Sequence, residues 1–171
     1  DQAYAMAKFL KKFQIKRIAC SPLMRAFATA HIVGAEANVV PQETRDLFPW
    51  RLGIFTGLPK KDNQEALRLF VQSPLVSIPN GESLDDFEGR QFAFWAPALQ
   101  ASHTSSGLDL FVCHTSNVTA LVNFTEGADN VEPEFGDSVK PGGVGAIYWD
   151  GKKHRVEPIF GEEEKAQFGG S

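Results

Sequence analysis

Apolar residues recur three and four positions apart along much of the chain, which is the pattern of amphipathic helices. These spacings predict five helices, over 3–13, 22–34, 60–72, 82–100 and 117–124. The second helix is expected to begin at Ser21 and Pro22, because serine is a favoured N-cap and proline is tolerated in the first turn. It is expected to end at Gly34, since glycine often follows the last helical residue.

Shorter apolar runs between the helices predict strands. They cover 16–20, 39–40 and 108–113, and two further runs, 145–149 and 154–159, lie near the end of the chain. Asp150 and Gly151 stand between the last two runs, and this dipeptide is a strong hairpin signal. Strands that alternate with helices are typical of a mostly parallel sheet with helices on both faces. We therefore expect an α/β fold, a three-layer sandwich whose C-terminal hairpin adds an antiparallel edge.

The composition is that of one globular domain. Of 171 residues, 43% are hydrophobic and 22% charged, so we expect one domain over 1–160 and a frayed, acidic and glycine-rich tail over 161–171. A net charge of −4 argues against nucleic-acid binding, which requires a basic surface. No apolar run is long enough to predict a membrane span. The two cysteines suit free thiols in a reducing compartment, and we expect a cytoplasmic protein.

The strand predicted over 108–113 stops abruptly at His114. Ser116 and Asn117 then open the next predicted helix. Ligands of open α/β sheets lie at the carboxyl ends of strands, and helix N-termini present N–H groups that favour anions. His114 is therefore placed to meet a phosphate, and the alternative is a histidine that simply binds a backbone carbonyl.

A second junction of the same design follows the strand predicted over 16–20. Arg25 falls in the first turn of the helix there, where the positive end of the helix dipole opposes a cation. An anion between the two would remove this conflict, and a guanidinium can hold two phosphate oxygens at once. The alternative is a solvated surface arginine.

Four stretches together resemble the histidine phosphatase (phosphoglycerate mutase-like) superfamily. In chain order they are SPLMRA at 21–26 followed by Thr29 and Ala30, LFPWRLGIFTG at 47–57, PNGES at 79–83, and FVCH at 111–114. The resemblance covers roughly 1–123 and implies an enzyme that hydrolyses phosphomonoesters through a phosphohistidine.

The resemblance implies roles for residues within these stretches. Arg25 would be the second arginine of a phosphate pocket, and His114 the second histidine, which hydrogen-bonds the phosphoryl group. Glu82 would be the acidic residue of the Gly-Glu-Ser turn, near the mouth of the pocket. A leaving alcohol needs a proton donor within hydrogen-bond reach. Glu82 is the first candidate for this catalytic role, and Asp46 is the alternative.

The helix starts beside these residues offer further groups to a substrate. Ser21 and Asn117 are the candidates for substrate binding, and Ser116 is an alternative to Asn117. This arrangement requires no metal and no cofactor. The implied partner is a small-molecule phosphomonoester, whereas nucleic acid and membrane are not expected. An exposed edge strand would permit a homo-oligomer.

Two features depart from the pattern of the superfamily. Its members begin with a strand that ends in Arg-His-Gly, and that histidine takes the phosphoryl group covalently. No arginine directly precedes a histidine in this chain, and His31, His103 and His154 lie in other contexts. We therefore expect the nucleophile in a segment upstream of this chain. The chain without that segment should not hydrolyse phosphate esters. Pro49 also stands where many members carry a glutamate proton donor.

Two other interpretations stay open. The first is a histidine-phosphatase-like module that has lost catalysis and serves in binding or structure, which the missing nucleophile and Pro49 would both suit. Such a module should tolerate substitution of Arg25 or His114. The second is an unrelated α/β hydrolase with Ser21 or Cys113 as nucleophile, although neither lies in a G-x-S-x-G elbow.

Overall fold

Helices and strands alternate along the chain in the computed structural model, which describes residues 2–104, 106–127 and 139–169. The helices are α1 (Gln2–Leu10), α2 (Met24–Ala37), α3 (Lys60–Gln72), α4 (Leu84–Ser102), α5 (Thr115–Glu126) and α6 (Glu162–Gly169). The strands are β1 (Ile15–Cys20), β2 (Gln42–Glu43), β3 (Leu108–Val112), β4 (Val144–Trp149) and β5 (His154–Phe160). Two 3₁₀ turns, Arg45–Leu47 and Gly53–Phe55, lie between β2 and α3.

The strands form a parallel sheet and a separate antiparallel hairpin. The order in the parallel sheet is β2-β1-β3, with Ile18 paired to Leu110 and Cys20 to Val112. β4 and β5 pair with each other, and the turn between them contains Gly151 at a φ of 91°. Within the described residues, β3 and β4 each have a hydrogen-bonded neighbour on one edge only. The predicted α/β fold with a C-terminal antiparallel hairpin is confirmed.

Side chains alternate across the parallel sheet, so different helices cover its two faces. Ile18 and Leu110 belong to a hydrophobic core that also contains residues of α1 and α2. Ala19 and Phe111 point the other way, into a cluster with residues of α4 and α5, where the rings of Trp95 and Phe111 lie 5.1 Å apart. None of the helices in the described ranges combines the length and the apolar character needed to cross a lipid bilayer.

The second helix and the strand after it differ from the prediction. α2 begins at Met24 and ends at Ala37, with Asn38 in the left-handed region at a φ of 55°. Gly34 therefore lies inside the helix and not after it, and a glycine suits this position because a Cβ would overlap the carbonyl oxygen of Val39. The strand predicted over 39–40 is wrong, since pairing with β1 begins only after Pro41, which has no N–H to give to a ladder.

The end of the chain is more ordered than the frayed tail that the sequence predicts. Residues 162–169 form α6, whose Phe168 ring lies 5.8 Å from Phe9 of α1. Glu162, Glu163 and Glu164 fill the first turn of this helix, where the dipole favours acidic side chains. Residues 162–169 are therefore helical where the sequence predicts a frayed end, and 170–171 lie outside the described residues. The domain boundary at 160 stays a prediction.

Candidate active site

Arg25 and His114 lie side by side at one edge of the parallel sheet. β1 and β3 are adjacent and parallel, so the junctions that follow them meet at their carboxyl ends. Nε–H of Arg25 donates to Nδ1 of His114 at 3.2 Å, and Nε2 of His114 lies 2.8 Å from the hydroxyl oxygen of Ser21. The structure thus brings together three of the residues predicted for a phosphate pocket.

These contacts define the protonation state of His114. A guanidinium only donates hydrogen bonds, so Nδ1 is an acceptor, and the proton of the neutral imidazole lies on Nε2 and points at Ser21. Burial first, and then the charge of Arg25, lowers the pKa of His114 from 6.5 to about 4. At neutral pH the His114 ring is therefore an uncharged donor next to a cation. An anion bound between the two would raise the pKa of His114, which is opposite to the effect of Arg25.

Asn117 and Ser116 bind the loop that runs past this pair. Asn117 is fully buried; its Oδ1 accepts from the His114 N–H at 3.0 Å, and its Nδ2 donates to the Phe48 carbonyl at 3.0 Å. The Ser116 hydroxyl accepts from the Trp50 N–H at 3.2 Å. These side chains therefore connect the start of α5 to the loop over 46–51. Substrate binding by Asn117 stays a prediction, and its contacts do not favour it.

Glu82 lies between two arginines and is only 4% exposed. Oε1 accepts from the Arg51 N–H at 2.9 Å and from Nη2 of Arg90 at 2.8 Å, while Oε2 lies 3.1 Å from Nη2 of Arg51. Arg90 also donates to the carbonyl oxygens of Asp46 and Phe48, at 2.8 and 3.1 Å. The carboxylate therefore fastens the loop over 46–51 to α4.

The turn that carries Glu82 packs backbone to backbone against the loop that carries Arg51. Glu82 N–H donates to the Arg51 carbonyl at 3.1 Å. A Cβ on Gly81 would overlap that same carbonyl oxygen, and Gly53 opposite has a φ of 49°, in the left-handed region. The glycines at 53 and 81 therefore permit the close approach that holds the two loops together.

A cleft of about 1610 Å³ lies in front of Arg25 and His114. Pro49 and Arg51 line it, and so does every residue of β3 and of β4, the two strands whose second edge has no partner among the described residues. Glu82 does not line this cleft, and Asp46 lines a separate cavity of about 580 Å³. In the described parts of the chain, no three His, Cys, Asp or Glu side chains converge as a metal-ligand set.

Sequence reasoning missed Arg51 and Arg90. Arg90 lies on α4, eight positions after Glu82, but Glu82 precedes the helix, so helical spacing does not predict their contact. Arg51 lies within the stretch that resembles the superfamily, but its contact with Glu82 spans 31 positions and leaves no local signal.

Comparisons with known proteins agree with the fold. The sequence model described as histidine phosphatase superfamily (branch 1) matches residues 1–158. The phosphoglycerate mutase of Bacillus anthracis str. Sterne is 19% identical and superposes with a TM-score of 0.75, covering 99% of this chain and 82% of that one. The α-ribazole phosphatase of Shigella flexneri is 21% identical with a TM-score of 0.66, covering 94% and 80%.

A third structure is that of a mycobacterial glucosyl-3-phosphoglycerate phosphatase with inorganic phosphate. It is 21% identical to this chain with a TM-score of 0.70, covering 95% of this chain and 85% of that one. At such identities the similarity shows the fold. None of the curated proteins matches the chain.

Proposed function

The chain belongs to the histidine phosphatase superfamily (branch 1), and we propose that it forms the phosphate-binding body of an enzyme that hydrolyses small phosphomonoesters through a phosphohistidine. The observation that carries this proposal is the contact of Arg25 with His114 at the carboxyl ends of β1 and β3, beside the open cleft. A cation and a neutral imidazole there lie side by side, next to the cleft in which an anion would bind. Solved phosphatases with the same fold support a phosphatase-type activity.

Arg25 and His114 would hold the phosphoryl oxygens. Arg25 uses Nε to bind His114, so the terminal fork of the guanidinium is the part that would take two oxygens. Nε2–H of His114 would turn from Ser21 to a third oxygen. Phosphoryl transfer depends mainly on such positioning and charge stabilisation, and losing one such donor typically costs about a hundredfold to a thousandfold in rate.

The nucleophilic histidine would enter on a strand between β3 and β4, in a segment upstream of this chain. Both strands line the cleft, and in the part of the chain that the structure describes each has one edge without a strand partner, which supports this placement. A strand parallel to β3 would bring its carboxyl end beside Arg25 and His114. The imidazole nitrogen would attack phosphorus as the ester P–O bond breaks, and water would then attack the phosphohistidine and release inorganic phosphate.

Glu82 is a weak candidate for the proton donor. Its two oxygens bind Arg51 and Arg90, and it does not line the cleft, so we propose instead that it positions the loop over 46–51. Asp46, the alternative, lines the other cavity. With Pro49 in the cleft at the position of the usual glutamate, hydrolysis should favour alcohols that leave without full protonation, such as phenols.

Binding of inorganic phosphate tests the pocket directly, because it does not require the nucleophile. Isothermal titration of the chain should show binding that Arg25→Ala and His114→Ala each weaken roughly tenfold, as expected for loss of a charge-assisted or buried hydrogen bond. His31→Ala, a histidine on the exposed face of α2, is the matched control and should bind as the unaltered chain does. Equal binding by all four proteins would refute the proposed pocket.

Turnover of p-nitrophenyl phosphate then tests the mechanism. The chain alone should be inactive, whereas addition of a strand peptide ending in Arg-His-Gly should give a phosphorylated peptide, detectable by mass spectrometry. A peptide ending in Arg-Ala-Gly is the control. Hydrolysis by the chain alone that survives His114→Ala would rule out the phosphohistidine route.

The two other interpretations make different predictions. An inactive module would bind phosphate without ever phosphorylating the peptide, and Pro49 is the observation that favours it. A Ser21 nucleophile is disfavoured because Ser21 is fully buried and receives the Nε2–H of His114, which then cannot act as its base. Burial raises the pKa of the Cys113 thiol to about 12, which leaves almost no thiolate at neutral pH.

A further inference from the structure

We propose that Arg51 binds a second anionic group, a carboxylate or a phosphate, on the alcohol part of the substrate. This inference rests on the proposed function, since it assigns the second half of the same cleft. Arg51 lines the cleft together with Arg25 and His114, and its side chain is 64% exposed. It would therefore contact the part of a ligand that extends away from the phosphate.

The position of Arg51 is tied to the phosphate pocket through the backbone. The preceding residue, Trp50, donates its N–H to Ser116, which lies two residues after His114 at the start of α5. Arg51 is thus one residue away from a group bound to the pocket. Arg51, Arg25 and His114 line the same cleft, so a single ligand with two anionic groups would contact both sites there.

Glu82 holds Arg51 in a defined orientation. The Glu82 N–H donates to the Arg51 carbonyl at 3.1 Å, and the Arg51 N–H donates to Oε1 of Glu82 at 2.9 Å. Nη2 of Arg51 lies 3.1 Å from Oε2 of Glu82. One edge of the guanidinium is therefore fixed against a buried carboxylate. Because the side chain is already ordered, a ligand that binds it loses less conformational freedom than one that orders a free arginine.

The charges around Glu82 do not cancel. One carboxylate faces two guanidinium groups, so the cluster of Arg51, Glu82 and Arg90 carries a net positive charge of one. Arg90 is 23% exposed and also donates hydrogen bonds to two loop carbonyls, so its guanidinium is used in contacts within the protein. The uncompensated charge is thus presented by Arg51, on the cleft side. An anion with planar or tetrahedral oxygens is the chemical partner of such a group.

Three aromatic ligands that differ in one group test this proposal with the chain as it is. They are phenyl phosphate, 3-carboxyphenyl phosphate and 1,3-phenylene bisphosphate, and their dissociation constants are measured by isothermal titration. The last two carry a second anionic group and are called the dianchored ligands. They should bind about threefold to tenfold more tightly than phenyl phosphate, the range expected of a charge-assisted contact that solvent partly screens. The larger of the two gains distinguishes a carboxylate partner from a phosphate partner.

Substitution of Arg51 should remove that preference. In Arg51→Ala and Arg51→Gln the ratio between the dianchored ligands and phenyl phosphate should fall to about one, whereas Arg51→Lys should keep part of it, since it keeps the charge but not the fork. Arg45→Ala is the matched control, because Arg45 is an exposed arginine of the same segment that does not line the cleft. It should keep the full ratio, and circular dichroism of each variant verifies folding.

Each outcome separates this inference from the proposed function. Binding of phenyl phosphate with no preference for the dianchored ligands would overturn the role of Arg51 and leave the phosphate pocket standing. A preference that survives in both Arg51→Ala and Arg51→Gln would overturn it as well. Binding of the carboxylate ligand that depends on Arg51 but not on Arg25 would support the inference and count against the proposed phosphate pocket.

Discussion

The pKa of His114 makes the stability of the chain depend on pH in a definite direction. Burial and the neighbouring Arg25 lower this pKa to about 4 in the folded chain, whereas a histidine in an unfolded chain titrates near about 6.5. Between these values unfolding takes up a proton, so stability falls as the pH drops from about 6.5 towards 4 and returns as the pH rises. The full shift in pKa corresponds to ~3 kcal/mol in the free energy of unfolding. We expect a measured change of ~1–2 kcal/mol, because the His114 ring borders an open cleft and solvent screens part of the effect.

Urea unfolding of the unaltered chain and of His114→Gln, at about pH 7.5 and about pH 4.5, measures this effect. The carboxylates titrate in both proteins, so the difference between the two isolates the histidine. The unaltered chain should lose ~1–2 kcal/mol more than the variant on acidification. His31→Gln, the same change on an exposed helix face, reports what the substitution itself does. If both proteins lose stability equally, the geometry around the His114 ring is not that of a buried neutral imidazole.

Heteronuclear NMR of the ring checks the same reasoning at the level of atoms. The proton at neutral pH should be found on Nε2, because Nδ1 accepts from Arg25. Saturating inorganic phosphate should raise the pKa, since an anion next to the ring favours its charged form. A His114 signal that titrates near about 6.5 in the absence of phosphate would refute the argument.

Three further substitutions test the contacts around the site by urea unfolding. Arg90→Ala should cost ~2–4 kcal/mol, because it leaves a buried carboxylate and two loop carbonyls short of donors, while Arg155→Ala in an exposed ion pair should change stability by less than ~1 kcal/mol. Gly81→Ala should cost ~1–3 kcal/mol since the new methyl meets backbone of the facing loop, whereas Gly89→Ala in α4 meets nothing and should stabilise by ~0.5–1 kcal/mol. Asn117→Ala should cost ~1–3 kcal/mol, and equal stability would mean that its two hydrogen bonds contribute nothing.

The pair at the centre of the site could be predicted because two rules act together. A strand that ends at a polar residue and is followed by a helix start is visible in local sequence, both at Arg25 and at His114. Adjacent parallel strands then bring their carboxyl ends to one edge. The hairpin around Gly151 and the bounds of α3 were equally accessible, since turn residues and apolar spacing are local signals.

The partners of Glu82 could not be predicted, because they depend on how two loops and a helix meet. A glutamate in a Gly-Glu-Ser turn is compatible with an exposed acid or with a buried ion pair, and only the tertiary structure distinguishes them. The strand predicted over 39–40 was wrong for a related reason. Val39 and Val40 have strand propensity, yet pairing is set by the register with β1, which begins at Gln42.

The loop over 46–51 links the residues that support the proposed phosphate pocket to those that support Arg51. The Phe48 carbonyl accepts from Asn117, whose other end holds the His114 backbone, and it also accepts from Arg90, which holds the carboxylate that fixes Arg51. One carbonyl is therefore shared by the support of the histidine and the support of the arginine. Loss of Arg90, which does not line the cleft, should for this reason disturb the binding of phosphate as well as the orientation of Arg51. We expect this shared loop to set the distance between the two proposed anion sites, and with it the length of the substrate that fits.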